Sequence, residues 1–229
     1  ILCQSEETKE YLKFFNIKNV KFLGNIKLID TERKKIQFIC VEEKFNNWTA
    51  MSIHFDEIDI ILNTHIKLNQ KEKITTILIP RHLNKIEQII NKIKNSGIKY
   101  QKITENNFVK KFNGILIIDK FGIADDIFNI SNIVFMGGSF IDHGGQNPIE
   151  AIKYGCKILH GKNIYNFNEV YNLLKKYNLS KLVIDQKDLE NEIINLIKNN
   201  KSDELNLNEK ILSKDIFNKT TETLNYYIN

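Results

Sequence analysis

Two kinds of hydrophobic pattern alternate along most of this chain. The first consists of short, nearly continuous apolar runs rich in β-branched residues, which are typical of strands buried on both faces of a parallel sheet. We predict strands at Lys34–Val41, Lys73–Pro80, Gly114–Asp119, Asn132–Gly138, Cys156–Gly161 and Lys181–Asp185.

The second pattern is a helical period of apolar residues between these runs. It occurs in residues 54–70, in residues 84–97, where it stops at Gly97, and in residues 167–178 and 188–200. Alternating strands and helices predict an α/β fold in which a doubly wound parallel sheet is built with right-handed crossovers.

The two ends of the chain depart from this alternation. Residues 1–29 predict a helix capped by Ser5 and then a strand, and we interpret them as the tail of a preceding domain. A polar linker is predicted at 30–35, a Rossmann-like domain at 36–202 and one or two closing helices at 203–229. The first residue is isoleucine rather than methionine, which suggests a processed product or a fragment.

Composition narrows the classes of function. With 42% hydrophobic and 27% charged residues, the 229-residue chain can build a sizeable core. The net charge of +5 comes from scattered lysines without interleaved aromatic residues, so no nucleic-acid binding is expected. Three distant cysteines predict free thiols, and no apolar run approaches the roughly 18 residues of a membrane span.

Metal chemistry is not expected from this sequence either. The five histidines lack metal-ligand spacing, and no Asp-x-Asp pair is present to hold a metal against a sugar-nucleotide diphosphate. The sequence also lacks a Gly-x-Gly-x-x-Gly fingerprint, a Walker motif and a Gly-x-Ser-x-Gly elbow. We therefore predict neither a metal site nor a cofactor.

Ligands of doubly wound sheets bind beyond the carboxyl ends of the strands, so the residues that follow each predicted strand are candidates. Pro80 ends one strand and puts Arg81 near a helix start, where it is either a phosphate ligand or an ordinary surface arginine. Gly122 opens the helix after the next run, where a close ligand approach and a simple turn explain it equally well.

The stretch Gly137–Glu150, GGSFIDHGGQNPIE, contains four of the ten glycines of the chain. It predicts two points of close backbone approach and then a helix with Asn147 as N-cap and Pro148 as its first residue. Glu150, in the first turn, is either a capping-box residue or an acceptor for a ribose diol. Two glycine pairs exceed what a turn requires, so we favour a ligand site.

The ordered motifs GNIK, PRH, FG, GGSF, GG-NP-E and NF resemble the 3-deoxy-D-manno-octulosonic acid (Kdo) transferases of lipopolysaccharide synthesis. The resemblance runs from about residue 4 to the C-terminus, but it covers only the second half of that family's length. It implies a GT-B glycosyltransferase fold, of which this chain is the C-terminal, nucleotide-binding half. It also implies transfer of Kdo from CMP-Kdo to a lipid A precursor at the cytoplasmic face of the bacterial inner membrane.

The resemblance implies a role for each matching residue. CMP would be contacted by Pro80, Arg81, Phe121, Gly122, Ile123, Asn147, Pro148, Ile149 and Glu150. Glu150 would hold the ribose, and the helix start at Asn147 would hold the phosphate. Lys27 matches a lysine that stabilises the charge developing in the transition state, and a cytidine monophosphate leaving group is an anion that such a cation stabilises.

Several positions depart from the family pattern. Ile123 stands where the family has a glutamate, which leaves only its backbone for the nucleotide, and Gln146 replaces a histidine. The segment AMSIHFDEI keeps Ser52, His54 and Glu57 but loses a glycine. These differences indicate a divergent lineage or relaxed constraint.

The family's first half carries the membrane anchor, the acceptor-binding face and the general base of an inverting reaction, and residues 1–29 cannot supply these. We therefore expect the isolated chain to bind the donor weakly without transferring sugar. Two alternatives remain. One is a nucleotide-binding remnant or split subunit without its own catalysis, and the other is a different GT-B enzyme that uses a UDP-sugar.

Overall fold

A computed structural model describes residues 1–3, 5–29, 40–41, 46–104, 108–109, 112–199 and 202–228. Its strands are β1 (Leu2–Cys3), β2 (Lys21–Phe22), β3 (Cys40–Val41), β4 (Asn47–Ile53), β5 (Thr75–Pro80), β6 (Tyr100–Ile103), β7 (Phe108–Val109), β8 (Ile115–Ile118), β9 (Ile133–Met136), β10 (Lys157–His160) and β11 (Ser180–Leu182). Its α-helices are α1 (Glu6–Phe14), α2 (Ile58–Lys71), α3 (Ile86–Asn95), α4 (Ala124–Ile130), α5 (Ile149–Lys153), α6 (Asn168–Lys176), α7 (Gln186–Asn199) and α8 (Ser202–Ile228).

Seven of these strands form one sheet in the order β11-β10-β9-β4-β5-β8-β6, and every neighbouring pair is parallel. The chain starts the sheet at β4, builds β5, β6 and β8 on one side, and then returns to the other side of β4 with β9. The predicted doubly wound parallel sheet is therefore confirmed. Its topological switch point lies between β4 and β9.

Helices cover both faces of this sheet, which explains why inner strands such as β8 and β9 are apolar on both sides. On one face, α2, α3 and α7 contribute Ile61, Ile90 and Ile193 to a core cluster with Trp48 and Phe135. The other face is covered by α5, α6 and α8, whose buried residues include Ile152, Tyr171 and Leu212. The four predicted internal helices are all present.

The central strand β4 is absent from the sequence-based prediction because its sequence, NWTAMSI, mixes polar and apolar residues. Two of the polar side chains are buried in a hydrogen-bond network with the loop before β9. Thr49 Oγ1 lies 2.6 Å from Ser131 Oγ, the Ser131 hydroxyl donates to Asn47 Oδ1 (2.9 Å), and the Asn47 amide donates to the Ile130 carbonyl (2.9 Å). Because this network satisfies them, the strand needs no continuous apolar run.

Two further assignments differ from the prediction. The predicted first strand at Lys34–Val41 is described only at Cys40–Val41, which pairs with β7 in a separate two-stranded sheet rather than joining the main one. The edge strand β6, with the sequence YQKI, was not predicted. Its partly exposed side chains do not give the apolar run of a central strand.

The N-terminal residues form a small β-α-β unit in which β1 and β2 pair in parallel. The predicted Ser5 cap is confirmed, because its hydroxyl accepts the Thr8 N–H at 2.9 Å. The first amides of α1, at Glu6 and Glu7, donate to the Glu169 carboxylate on α6 (2.9 and 3.0 Å). The predicted linker at 30–35 lies outside the described residues, so the domain boundaries there stay a prediction.

Candidate functional site

The site is built from loops at the carboxyl edge of the sheet. Residues 54–57 follow β4 and residues 137–145 follow β9, so the two loops flank the topological switch point, where doubly wound folds bind their ligands. Residues 81–82 follow the adjacent β5 and residues 119–123 follow β8. The candidate segments from the sequence therefore extend from neighbouring strands at one edge of the sheet.

The two central loops begin in close contact. The Gly137 N–H donates to the Met51 carbonyl at 2.8 Å, and a Cβ on Gly137 would lie 2.4 Å from the Ser52 carbonyl oxygen. Ser52 has a φ of 54°, and the register of β4 against β5 shifts between Met51 and Ile53. Glycine is required at 137 because any side chain would push these two backbones apart.

A buried carboxylate joins the same two loops. Glu57 is fully buried, and its carboxylate accepts hydrogen bonds from the backbone N–H groups of Gly138 (2.7 Å), Phe140 (3.2 Å) and His54 (3.2 Å). Burial raises the pKa of the Glu57 carboxyl, and these backbone donors oppose the rise. Glu57 thus connects the loop after β4 to the loop after β9.

Three imidazole rings from three different loops meet beside this carboxylate. We call His54, His82 and His143 the histidine cluster. The rings of His54 and His143 are stacked, with centroids 4.3 Å apart and planes at 14°, and His82 approaches His54 edge-on at 5.7 Å. Burial lowers the pKa of His54, and His143, His82 and Arg81 lower it further.

The loop after β9 is held by its neighbours on the other side. The Ser139 hydroxyl donates to the Met136 carbonyl (2.5 Å) and accepts the Gly161 N–H (2.8 Å). The Tyr171 hydroxyl donates to the Gln146 carbonyl at 2.9 Å. The glycine-rich stretch is therefore an ordered loop with packed ends.

Pro80 and Arg81 lie where the sequence predicts. Pro80 is buried at the end of β5, opposite Ile53, and the Arg81 N–H donates to the Ile53 carbonyl at 2.9 Å. The Arg81 side chain is exposed and close enough to His54 to lower the pKa of that imidazole. Arg81 is thus brought to the histidine cluster.

The segment after β8 presents its first two residues outward. Phe121 is 78% exposed, and Gly122 is exposed with a φ of 80°. Ile123 is buried and packs in an apolar cluster with Ile118 and Ile127. Only the backbone of Ile123 can face a ligand, as expected from the replacement of the family's glutamate.

The helix after the glycine-rich loop starts one residue later than predicted. It spans Ile149–Lys153, so Pro148 precedes the helix and does not open it. The predicted capping contact is nevertheless formed, because Asn147 Oδ1 accepts the Ile149 N–H at 3.1 Å. Ile149 and Pro148 are buried, whereas Asn147 and Glu150 are exposed.

Lys27 lies in a short 3-10 turn, Ile26–Leu28, that packs against α5 and α8. Leu28 is buried in the same core cluster as Ile149, and the Lys27 side chain is exposed. The turn carrying Lys27 is therefore anchored to the helix that carries Glu150. Its catalytic role stays a prediction.

No local pattern in the sequence indicates chemistry at Glu57 or the histidine cluster. The histidines lack the spacing of metal ligands, and no cluster of three or more potential metal-ligating side chains is found within the described ranges. The usable signal was position, because His54, Arg81-His82 and the loop containing His143 each follow a strand of the same sheet.

Among the described helices, none is long and apolar enough to cross a membrane.

The chain is similar in sequence to curated transferases from several bacteria. It is 28% identical over 170 residues to the 3-deoxy-D-manno-octulosonic acid transferase of Aquifex aeolicus, which covers 73% of this chain and 45% of that protein. It is 30% identical over 172 residues to the transferase of the same name from Rickettsia prowazekii, covering 72% of this chain and 37% of the relative. The chain thus spans less than half the length of these relatives. No protein-family model matches it.

A solved structure with the same fold is the C-terminal CMP-Kdo binding domain of WaaA from Acinetobacter baumannii. The two align with a TM-score of 0.65 at 18% identity, over 78% of this chain and 90% of that domain. This likeness confirms the fold, a C-terminal domain of the GT-B type. Together with the sequence relatives, it confirms the resemblance of this chain to the C-terminal half of the Kdo transferases.

Proposed function

We propose that this chain is the donor-binding part of a glycosyltransferase that moves Kdo from CMP-Kdo to a lipid A precursor. One observation carries the proposal: the segments 80–81, 121–123 and 147–150 lie at or beyond the carboxyl ends of β5, β8 and β9, which share one edge of the parallel sheet. A nucleotide at that edge can contact all three segments. Similarity to named Kdo transferases favours CMP-Kdo over a UDP-sugar.

Each segment is assigned a part of the donor. Arg81 is exposed beside the switch point and contacts the phosphate, since a guanidinium pairs well with phosphate oxygens. The exposed backbone at Gly122 lines the nucleotide, and Glu150 accepts hydrogen bonds from the ribose diol. Because α5 has only five residues, its dipole is weak and Arg81 supplies most of the attraction for the phosphate.

Catalysis requires more than donor binding. In the proposed reaction the acceptor hydroxyl attacks the anomeric carbon with inversion, and CMP leaves as an anion that Lys27 stabilises. The general base, the lipid acceptor site and association with the inner membrane are assigned to residues outside this chain, which spans less than half the length of its relatives. We expect no Kdo transfer from the 229-residue chain by itself, and Lys27→Ala to slow transfer in a complete enzyme.

Calorimetric titration tests the donor assignment. CMP is expected to bind more tightly than UMP or UDP, because the proposed donor is a cytidine monophosphate sugar. Equal or tighter binding of UDP would favour a different GT-B enzyme, and no binding of any nucleotide would favour a remnant. Kdo transfer by the isolated chain would contradict the proposed division of labour.

Replacing Glu150 by alanine is expected to weaken CMP binding about tenfold or more, since a hydrogen bond to a charged group contributes about 1.5–3 kcal/mol. The loss should be smaller for 2′-deoxy-CMP, which offers only one ribose hydroxyl. Glu72→Ala is the matched control, because Glu72 follows α2 at the opposite edge of the sheet. Unchanged CMP affinity in Glu150→Ala would show that the ribose assignment is wrong.

A further inference from the structure

The histidine cluster is a second feature of the carboxyl edge, and its geometry suggests a function beyond packing. Its rings come from the loops after β4, β5 and β9, so one compact group spans the topological switch point. His82 and His143 are exposed, and His54 lies partly buried against both. The exposed Arg81 adjoins His82, so three cationic or protonatable groups are open to solvent in one place.

His54 has hydrogen-bonding capacity that the described residues leave unused. Its Nε2 atom is buried and has no hydrogen-bond partner there. A Cβ on Gly138 would lie 3.3 Å from this nitrogen and 3.4 Å from the His143 Cβ. The stacked His143 ring therefore lies over a buried, unpartnered nitrogen beside the glycine-rich loop.

Charged groups of both signs surround the cluster. The titratable and charged groups facing His54 are His143, His82, Arg81 and Asp56, together with Glu57. The Glu57 carboxylate is already bonded to three backbone N–H groups, and Asp56 is exposed. Burial and the neighbouring His143, His82 and Arg81 lower the pKa of His54, so its protonation is favoured when an anion binds beside it.

We propose that the histidine cluster and Arg81 form a binding site for an anionic oxygen group of the ligand, a phosphate or a carboxylate, whose binding is coupled to histidine protonation. This inference rests on the proposed function, since the site lies at the donor-binding edge and the donor carries both kinds of anion. Arg81, His82 and His143 contact the anion directly. His54 is a positioning residue: its ring stacks against the His143 ring, and it gains a proton as the anion binds.

The expected thermodynamic signature is proton uptake. Free His54 is neutral at pH 7 because its pKa is lowered, and a bound anion favours its charged form, so affinity should rise as the pH falls toward 6. Calorimetry of CMP binding at pH 7 in buffers of different ionisation enthalpy is expected to give net proton uptake on binding. The second pKa of a phosphate is about 6, so the ligand titrates in the same range as histidine. The proton uptake of the unmodified chain is therefore compared with that of His54→Gln.

The test compares ligands and variants of the 229-residue chain. The ligands are CMP, cytidine, inorganic phosphate and free Kdo, so that phosphate and carboxylate are offered separately. Because His82 and His143 are exposed, His82→Gln and His143→Gln should fold, and each is expected to weaken binding about tenfold. His54→Gln should chiefly abolish the proton uptake. The control Lys94→Gln removes a positive charge near the end of α3, at the opposite edge of the sheet, and should change neither quantity.

Histidine ring signals in NMR spectra add a readout that a packing role would not change. The signal of His54 should move toward the protonated form on addition of the anion, whereas that of His65, bonded to Thr76 in the core, should not. Inorganic phosphate acting alone would identify the phosphate as the ligand group, and free Kdo acting alone would identify the carboxylate; either result supports the site. CMP binding without proton uptake or histidine shifts would overturn the site while leaving the donor proposal intact. Histidine protonation on phosphate binding, without any preference for CMP, would support the anion site and contradict the CMP donor proposal.

Discussion

Replacing Glu57 by alanine is expected to lower the free energy of unfolding by about 3–5 kcal/mol. The substitution leaves the N–H groups of His54, Gly138 and Phe140 without their acceptor. Because Glu57 is fully buried, water does not replace the carboxylate without opening the junction between the two central loops. Urea unfolding followed by circular dichroism measures the loss.

The pH dependence of the free energy of unfolding reports on the ionisation of the Glu57 carboxyl. Burial raises the pKa of Glu57 in the folded protein above its unfolded value of about 4.3, so the native state binds this proton more tightly. The stability contributed by this group is therefore full below about pH 4.3 and falls as the pH rises through the folded pKa. Glu57→Gln does not titrate and should lack this decline. A stability loss below about 1 kcal/mol in Glu57→Ala would show that the carboxylate does not hold the loops together.

Gly137→Ala is expected to destabilise the protein by about 3 kcal/mol, although it adds only one methyl group. The new Cβ would lie 2.4 Å from the Ser52 carbonyl oxygen, and a backbone atom cannot rotate away as a side chain can. The strands β9 and β4 must then separate at their carboxyl ends, where Met51 accepts the Gly137 N–H. Thermal and urea unfolding both report the change.

Gly97→Ala provides the matched control. Gly97 has a φ of 68°, and a Cβ added there would have no atom within 4 Å, so alanine meets only the backbone penalty of about 1–2 kcal/mol. If the two variants lose the same free energy of unfolding, the backbones at Gly137 and Ser52 can move apart at no additional cost. A larger loss at Gly137, accompanied by weaker CMP binding, would link the strand junction to the candidate site.

The fold was largely predictable because hydrophobic burial in a parallel sheet leaves a direct trace in sequence. Strands such as β8, with the sequence ILII, are buried at every position and must be apolar. The missed strand β4 shows the limit of this signal, because Thr49 and Asn47 are buried through hydrogen bonds to residues more than 80 positions away. Such pairing depends on tertiary structure and has no local pattern.

The positions of Arg81 and Gly122 at the carboxyl edge were predictable, because each lies just after an apolar strand of the sheet. The histidine cluster was missed because its rings come from several loops. His54 and His143 are far apart in sequence, yet their rings stack at 4.3 Å. Glu57 has the sequence context of a helix start, and only its contacts with Gly138 and Phe140 reveal what it organises.

Ser52 has a further consequence for recognition at this edge. It keeps a left-handed backbone with a β-carbon attached, where glycine would be free of that penalty. A serine at this position explores fewer conformations than glycine would, so the turn into His54 and Glu57 loses little entropy when a ligand arrives. On the proposed function, this part of the carboxyl edge is therefore preorganised for the nucleotide.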